Sequence, residues 1–168
     1  MLERNIKRRV YLFGDHVDTD QIYPGRYLEI TKTEEIALHA MEGIENNFYE
    51  RFDKGSIIAA GRNFGLGSSR EHAAIALISL GVSLVIARSF GRIFYRNCIN
   101  LGLPLMICSD ITGHCKEGNL LDVDLKTGMI MNLATNEKFM GEVFSDYVLK
   151  ILDAGGIKPL LKQKAHNM

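Results

Sequence analysis

Residues 56–73 read Ser-Ile-Ile-Ala-Ala-Gly-Arg-Asn-Phe-Gly-Leu-Gly-Ser-Ser-Arg-Glu-His-Ala, and this stretch has the grammar of a strand, a glycine turn and a helix start. Ile57, Ile58, Ala59 and Ala60 form a short apolar, partly β-branched run that fits a buried strand. Ala73, Ala74, Ala76, Leu77 and Leu80 then recur at helical spacing, and Gly81 ends the pattern. Gly65 and Gly67 can take positive φ and let the backbone pass close to a bound group. Ser68 or Ser69 falls at the helix N-cap or first turn, with Glu71 placed for a capping box. Val82 to Ala87 is a second buried strand, so Ser56 to Ala87 makes one βαβ unit with a parallel pair. That arrangement puts the glycine turn at the carboxyl end of the first strand, where open α/β sheets bind ligands.

A helix N-terminus presents unpaired N–H groups and about half a positive charge, a seat for an anion. Arg70 adds a planar fork that suits a carboxylate or phosphate. An ordinary capped helix after a glycine turn remains open, but Asn63, Arg70, Glu71 and His72 in the same turn favour a site. No lysine lies between Gly61 and Ala73, which excludes a phosphate-binding P-loop. After Gly65 and Gly67 the third fingerprint position is Arg70, which excludes the dinucleotide pattern. Ser69 is followed by Arg70 and Glu71, so no nucleophile elbow is present. Small carboxylates become the leading ligands.

The 168 residues are most economically one domain spanning 1–168, large enough for a core and small for a complete two-substrate enzyme. Twenty basic and twenty acidic residues cancel, which gives no reason to expect nucleic-acid or membrane partners. No run approaches the roughly 20 apolar residues of a membrane span, and the start has no signal-peptide core, so a cytoplasmic location is expected. Cys98, Cys108 and Cys115 lack Cys-x-x-Cys spacing. They indicate neither a disulfide framework nor a metal site in this chain, and buried thiols are expected at Cys98 and Cys108.

Elsewhere, Val10 to Phe13 is a strand candidate, with the basic residues Arg4, Lys7, Arg8 and Arg9 on a solvated first strand. Residues 14–25 form a polar loop in which Asx turns account for Asp15 and Asp18, while Asp20 is free to orient a neighbouring His or Arg. Thr31 to Gly43 reads as a surface helix with Thr33 as its N-cap. Phe48, Tyr49 and Phe52 are packing anchors in an irregular stretch. Arg88 and Ser89 fall at the carboxyl end of the second strand, beside the glycine turn, ahead of a helix carrying Arg92 and Arg96. Leu103 to Cys108 is a third apolar run with Pro104 at its start, as on an edge strand. Leu120–Leu125 and Met129–Leu133 flank a hairpin turn. Phe144 to Ala154 is a helix capped by Ser145 or Glu142 and stopped at Gly155-Gly156, and a last short helix follows.

Three motifs in order, Gly-Asp-x-Val-Asp-Thr-Asp-Gln-Ile (14–22), Gly-Arg-Asn-Phe-Gly-x-Gly-Ser-Ser-Arg-Glu-His-Ala (61–73) and Ile-Ala-Arg-Ser-Phe-x-Arg-Ile-Phe-Tyr-Arg-Asn (86–97), closely resemble the small subunits of 3-isopropylmalate dehydratase in the aconitase superfamily. The likeness runs through nearly the whole chain. It implies an α/β fold of the swivelling β/β/α kind found as the fourth domain of aconitase, around a central βαβ unit. It also implies a separate large subunit, in a heterodimer or heterotetramer, holding a 4Fe-4S cluster. The implied reaction is a hydro-lyase isomerisation of a small hydroxy diacid in leucine biosynthesis.

Carried over by motif position, Ser68 is the general base, Arg70 clamps a substrate carboxylate with help from Ser69, and Asp20 orients a large-subunit group. Arg88 and Ser89 join the substrate-binding set by adjacency. The resemblance also implies that substrate choice turns on the segment after Tyr27-Leu28. Tricarboxylate-specific members place an arginine where this chain has Glu29, and a carboxylate there would repel a third substrate carboxylate. An uncharged branched substituent facing Ile30 is therefore expected, with homoaconitate, citramalate and 2,3-dimethylmalate as alternative substrates. A carboxylate-binding module without catalysis is the rival from another class.

Overall fold

The computed structural model describes residues 1–168. Along the chain lie β1 (Asn5–Leu12), α1 (Thr19–Ile22), α2 (Thr33–Leu38), α3 (Phe48–Arg51), β2 (Ile57–Ala60), α4 (His72–Leu80), β3 (Leu84–Ala87), α5 (Arg92–Asn100), β4 (Leu105–Ile107), α6 (Ile111–His114), β5 (Leu120–Asp124), β6 (Met129–Asn132), β7 (Glu137–Met140), α7 (Asp146–Ala154) and α8 (Ile157–His166). A single 3-10 turn covers Gly25–Tyr27. The strands form one seven-stranded sheet in the order β4-β3-β2-β1-β5-β6-β7.

The sheet has two characters, and β1 joins them. On one side β1, β2, β3 and β4 are all parallel, with Val10 opposite Ile57, Ile57 opposite Leu84 and Val85 opposite Leu105. On the other side β1 pairs antiparallel with β5, and β5, β6 and β7 continue as an antiparallel meander. Every residue of β2 and β3 is buried, which is why both read as unbroken apolar runs rather than alternating ones. α6 packs on β2 and β3, α4 packs against α2 and α5, and α5 reaches α7 and α8. Forty-five buried apolar residues make one continuous core.

Most of the elements expected from the sequence form. Pro104 immediately precedes β4, the edge of the sheet, and the β5–β6 hairpin turns at Lys126-Thr127-Gly128. Ser145 caps α7 by accepting from the Val148 N–H at 3.2 Å, and Gly155 ends it in the left-handed region. Three expectations need correction. The helix anticipated over 31–43 is only Thr33–Leu38, with Lys32 and not Thr33 at its N-cap. It stops because the Met41 and Gly43 N–H groups bond the Ile22 and Gln21 carbonyls of α1, at 2.7 and 3.0 Å. Asp15 makes no local turn; its carboxylate accepts the Arg62 N–H at 2.7 Å, across to the glycine loop. The first strand starts at Asn5, five residues before Val10, because β5 pairs that length.

Candidate functional site

The loops leaving β1, β2 and β3 lie side by side at the carboxyl edge of the parallel half. The middle loop, 61–71, is stitched on both flanks. On the β1 side Gly61 donates to the Gly14 carbonyl, Gly65 to Val17, and Thr19 to Leu66, at 3.1, 2.7 and 2.9 Å. On the β3 side Phe64 donates to Ser89 and Gly91 to Phe64, at 3.0 and 2.8 Å. The Ser89 hydroxyl accepts from the Asn63 N–H at 2.8 Å, holding Asn63 in its left-handed conformation (φ 56°). Gly65 has φ 81°, and a Cβ there would come within 2.2 Å of the Phe94 ring. The glycine run is thus tied to its neighbours over 61–66, and Ser68 and Ser69 stand on its exposed tip.

At the tip, the Ser68 Oγ accepts a hydrogen bond from Arg70 Nε at 2.7 Å. Arg70 Nη2 faces Asp20 Oδ1 at 3.4 Å, and the same carboxylate oxygen accepts the Gly25 N–H at 2.8 Å. Asp20 is carried by α1, which is fixed by a complete capping box. Asp18 accepts from the Gln21 N–H, and the Gln21 side chain accepts from the Asp18 N–H. A Cβ at Gly25 would sit 2.8 Å from Arg70 Nη1, so glycine there lets the 25–27 turn press against the guanidinium. With Asp20 66% exposed, this ion pair contributes at most about 1 kcal/mol to stability. What it does is orient Arg70.

The structure therefore joins Asp20, Arg70 and Ser68 in one hydrogen-bonded string. Ser69 is beside them, its carbonyl accepting from Asn97 Nδ2 at 3.3 Å. Arg88 and Ser89 flank the loop on its other side; the Arg88 N–H bonds the Ala60 and Gly61 carbonyls, and no hydrogen bond links either residue to Ser68 or Arg70. Glu29 is exposed without an ion pair, and Ile30 is half-buried against the core. The expected capping of the central helix by Ser68 or Ser69 with Glu71 does not form. α4 begins only at His72, with Glu71 at the N-cap and no side-chain cap bond. Arg70 engages the Ser68 hydroxyl instead, and the capping box of this site is the one at Asp18 and Gln21.

A second cluster lies beside the string, and only its His72 belongs to one of the sequence motifs. The His72 ring stacks on Tyr23, 6.1 Å between centroids and 11° between planes, and the Tyr23 hydroxyl donates to the Tyr27 carbonyl at 2.7 Å. Tyr27, His39, Glu42 and Arg26 converge next to it. Arg26 and Tyr27 are adjacent and His39 and Glu42 lie three residues apart, but only the fold brings the two pairs together.

The fit of an iron–sulfur cluster to this chain can be tested on its cysteines. Cys98, Cys108 and Cys115 are all buried. Burial pushes every thiol up, that of Cys115 to about 11, whereas cluster ligation takes thiolates. No three His, Cys, Asp or Glu side chains stand together as a metal-binding group. These residues do not fit a cluster.

The fold and the site define the class first: a mixed α/β domain with its polar residues at the carboxyl edge of a parallel half-sheet. Residues 38–109 match the family model described as the aconitase C-terminal domain. The chain is 48% identical over 159 residues to the 3-isopropylmalate dehydratase small subunit 1 of Methanopyrus kandleri, covering 95% of this chain and 94% of that one. It is 51% identical over 159 residues, 95% of each chain, to the isopropylmalate/citramalate isomerase small subunit of Methanocaldococcus jannaschii. A crystal structure of 3-isopropylmalate dehydratase from the latter organism superposes with a TM-score of 0.91 at 43% identity, over 96% of this chain and 95% of that one. This chain belongs to the family of small subunits of the 3-isopropylmalate dehydratase type, within the aconitase superfamily.

Proposed function

We propose that this chain is the small subunit of a 3-isopropylmalate dehydratase, interconverting 2-isopropylmalate and 3-isopropylmalate by dehydration and rehydration in leucine biosynthesis. In this reading it is cytoplasmic and works only when joined to a large subunit that carries the 4Fe-4S cluster. One observation carries the assignment of roles: the Arg70 Nε–H points at Ser68 Oγ from 2.7 Å on an exposed tip. An isolated serine is far too weak a base at neutral pH. A guanidinium donating to its oxygen favours the alkoxide, and the preference strengthens when a second protein surface excludes water.

Ser68 then removes the proton from the carbon next to a substrate carboxylate while the hydroxyl leaves the adjacent carbon as water, its proton supplied from the large-subunit side. In rehydration water gives its hydroxyl to the first carbon and its proton back to that side, and Ser68 returns the held proton to the second carbon. The remaining Arg70 N–H groups clamp that carboxylate in a two-point fork, with the Ser69 hydroxyl beside them. Asp20 holds the guanidinium plane through Nη2 and presents its other oxygen to a group of the large subunit. Ser89 acts one step back by fixing Asn63, and Arg88 adds positive charge at the far flank of the loop. Ser68 and Ser69 are exposed on the loop tip, so Ser68 and Arg70 need a facing surface to become an enclosed site.

Glu29 disfavours a third substrate carboxylate, which argues against homoaconitate and for an apolar substituent. Citramalate is the second reading, because a relative as similar as 51% is named an isopropylmalate/citramalate isomerase small subunit; 2,3-dimethylmalate has the same chemistry. The test is anaerobic reconstitution with the large subunit of the same organism, offered isopropylmalate, citramalate, dimethylmalate and homoaconitate, and read by absorbance of the unsaturated product. Turnover of isopropylmalate only with both chains present is expected. Preference for homoaconitate would overturn the substrate reading, and turnover by the isolated chain would overturn the shared site.

A further inference from the structure

The segment that carries Glu29 and Ile30 is anchored far more heavily than a surface turn needs. Glu42 Oε1 accepts from the Tyr27 hydroxyl at 2.7 Å and from Arg26 Nη2 at 2.9 Å. Glu42 Oε2 meets His39 Nδ1 at 2.5 Å. The Tyr27 and His39 rings stack with centroids 3.6 Å apart, and the Arg26 guanidinium lies 4.7 Å over the Tyr27 ring.

Glu42 is itself held by backbone that the fold strains. Its neighbour Met41 is buried and non-glycine yet has φ 61°, a conformation that persists only where the surroundings over-determine it. The surroundings are the Met41 and Gly43 N–H bonds to the carbonyls of Ile22 and Gln21, the end of the same short helix that carries Asp20. At its other end the anchored segment begins with Gly25, whose N–H shares Asp20 Oδ1 with Arg70. Clamp, segment and carboxylate-binding arginine are thus tied to one helix.

We propose that Glu42, through Tyr27 and His39, is a positioning residue for substrate selectivity, holding Glu29 and Ile30 at a set distance from Arg70. Arg70 fixes one carboxylate, and the distance to Ile30 decides how large a substituent fits beyond it. This rests on the reading that Glu29 and Ile30 face the substrate's variable substituent. Glu42 touches no reacting atom and acts only through the segment it holds.

The experiment uses the reconstituted two-subunit enzyme with Glu42→Gln, Tyr27→Phe and Ile30→Ala. It measures KM and kcat for isopropylmalate, with citramalate as competing substrate or competitive inhibitor. Loosening the clamp is expected to lower the preference for isopropylmalate over citramalate by about ten- to a hundredfold, mostly through KM, since a misplacement of about 1 Å can cost up to about a hundredfold. A purely structural loss would lower the amount of active complex and so kcat, leaving KM and the preference ratio unmoved. Tyr27→Phe deletes one hydroxyl and keeps the ring stack, so it decides the matter if Glu42→Gln fails to assemble. If both assembled variants keep the wild-type ratio within about twofold, the precision expected of a positioning effect, while Ile30→Ala shifts it, the clamp is wrong and the substrate reading stands. If Ile30→Ala leaves the ratio unchanged as well, the reading beneath the proposal falls with it.

Discussion

Ser68 and Arg70 are separated by one residue, yet the proposed reaction needs different tasks of them, and single substitutions separate those tasks. Ser68→Ala removes only an exposed hydroxyl from the loop tip, so assembly with the large subunit is expected to persist while turnover falls by at least about a thousandfold, as losing a nucleophilic or proton-transfer group does. Near-normal turnover by an assembled Ser68→Ala complex would remove Ser68 from the proton transfer. Arg70→Lys keeps the charge and loses both the fork and the Nε donor. A rise in KM of about ten- to a hundredfold is expected from the lost bidentate contact, and an unchanged KM would show that another group holds the carboxylate. Glu42 supplies a pH test. Desolvation by burial raises its pKa, but the hydrogen bonds from Tyr27, His39 and Arg26 outweigh it, and the net direction is down. A carboxylate depressed on folding stabilises the native state fully above the unfolded value of about 4.3 and loses that contribution as pH falls through the lower folded value. The stability gap between wild type and Glu42→Gln, from urea unfolding, should therefore be constant from neutral pH to about pH 5 and close below about pH 4. A gap that stays constant down to about pH 3 would mean the carboxylate is not held by its partners.

The middle loop works as an element because both flanks are hydrogen-bonded and because Phe94 of α5 packs where Gly65 has no side chain. Gly65→Ala should cost about 2–4 kcal/mol, about 1 for the left-handed backbone and the rest for displacing the ring. A urea midpoint within error of wild type would show that the loop and α5 give way easily. The same element shows what is legible in the sequence. β2, β3 and α4 can be read there because full burial leaves unbroken apolar runs and α4 ends on Gly81 in the left-handed region. Their order alone is enough to place the glycine loop at a carboxyl edge. β7, Glu-Lys-Phe-Met, escapes because it is an edge strand whose residues are mostly exposed; one free side removes the need for an apolar pattern. The extent of α2 is not legible because its periodic residues continue to Met41, and the bonds that stop the helix come from α1, some twenty residues away. Ser68, Arg70 and Asp20 stand in local motifs, whereas Glu42 has no motif at all.

Across the whole molecule, the change of sheet sense at β1 assigns different duties to the two halves. The parallel half gathers three loops at one edge, where Ser68 and Arg70 stand; the antiparallel half, β5 to β7, adds Leu121, Val123 and Ile130 to the core. The three cysteines report on how the parallel half and its helices hold together. Cys98 lies on α5, Cys108 follows β4, and Cys115 follows α6 and donates to the Ile111 carbonyl at 3.2 Å. All three are buried and their thiols are raised by burial, so both access and thiolate formation are suppressed in the native state. A thiol reagent at about pH 8 should therefore modify the folded chain about a thousandfold or more slowly than the unfolded chain, since a fold of ordinary stability opens globally only that rarely. If the parallel half and its helices unfold as one unit, the three labelling rates should accelerate in parallel as urea is added. Fast labelling of Cys115 alone would instead identify α6 as a locally opening segment, and would show that the sheet remains closed while its cover over β2 and β3 lifts.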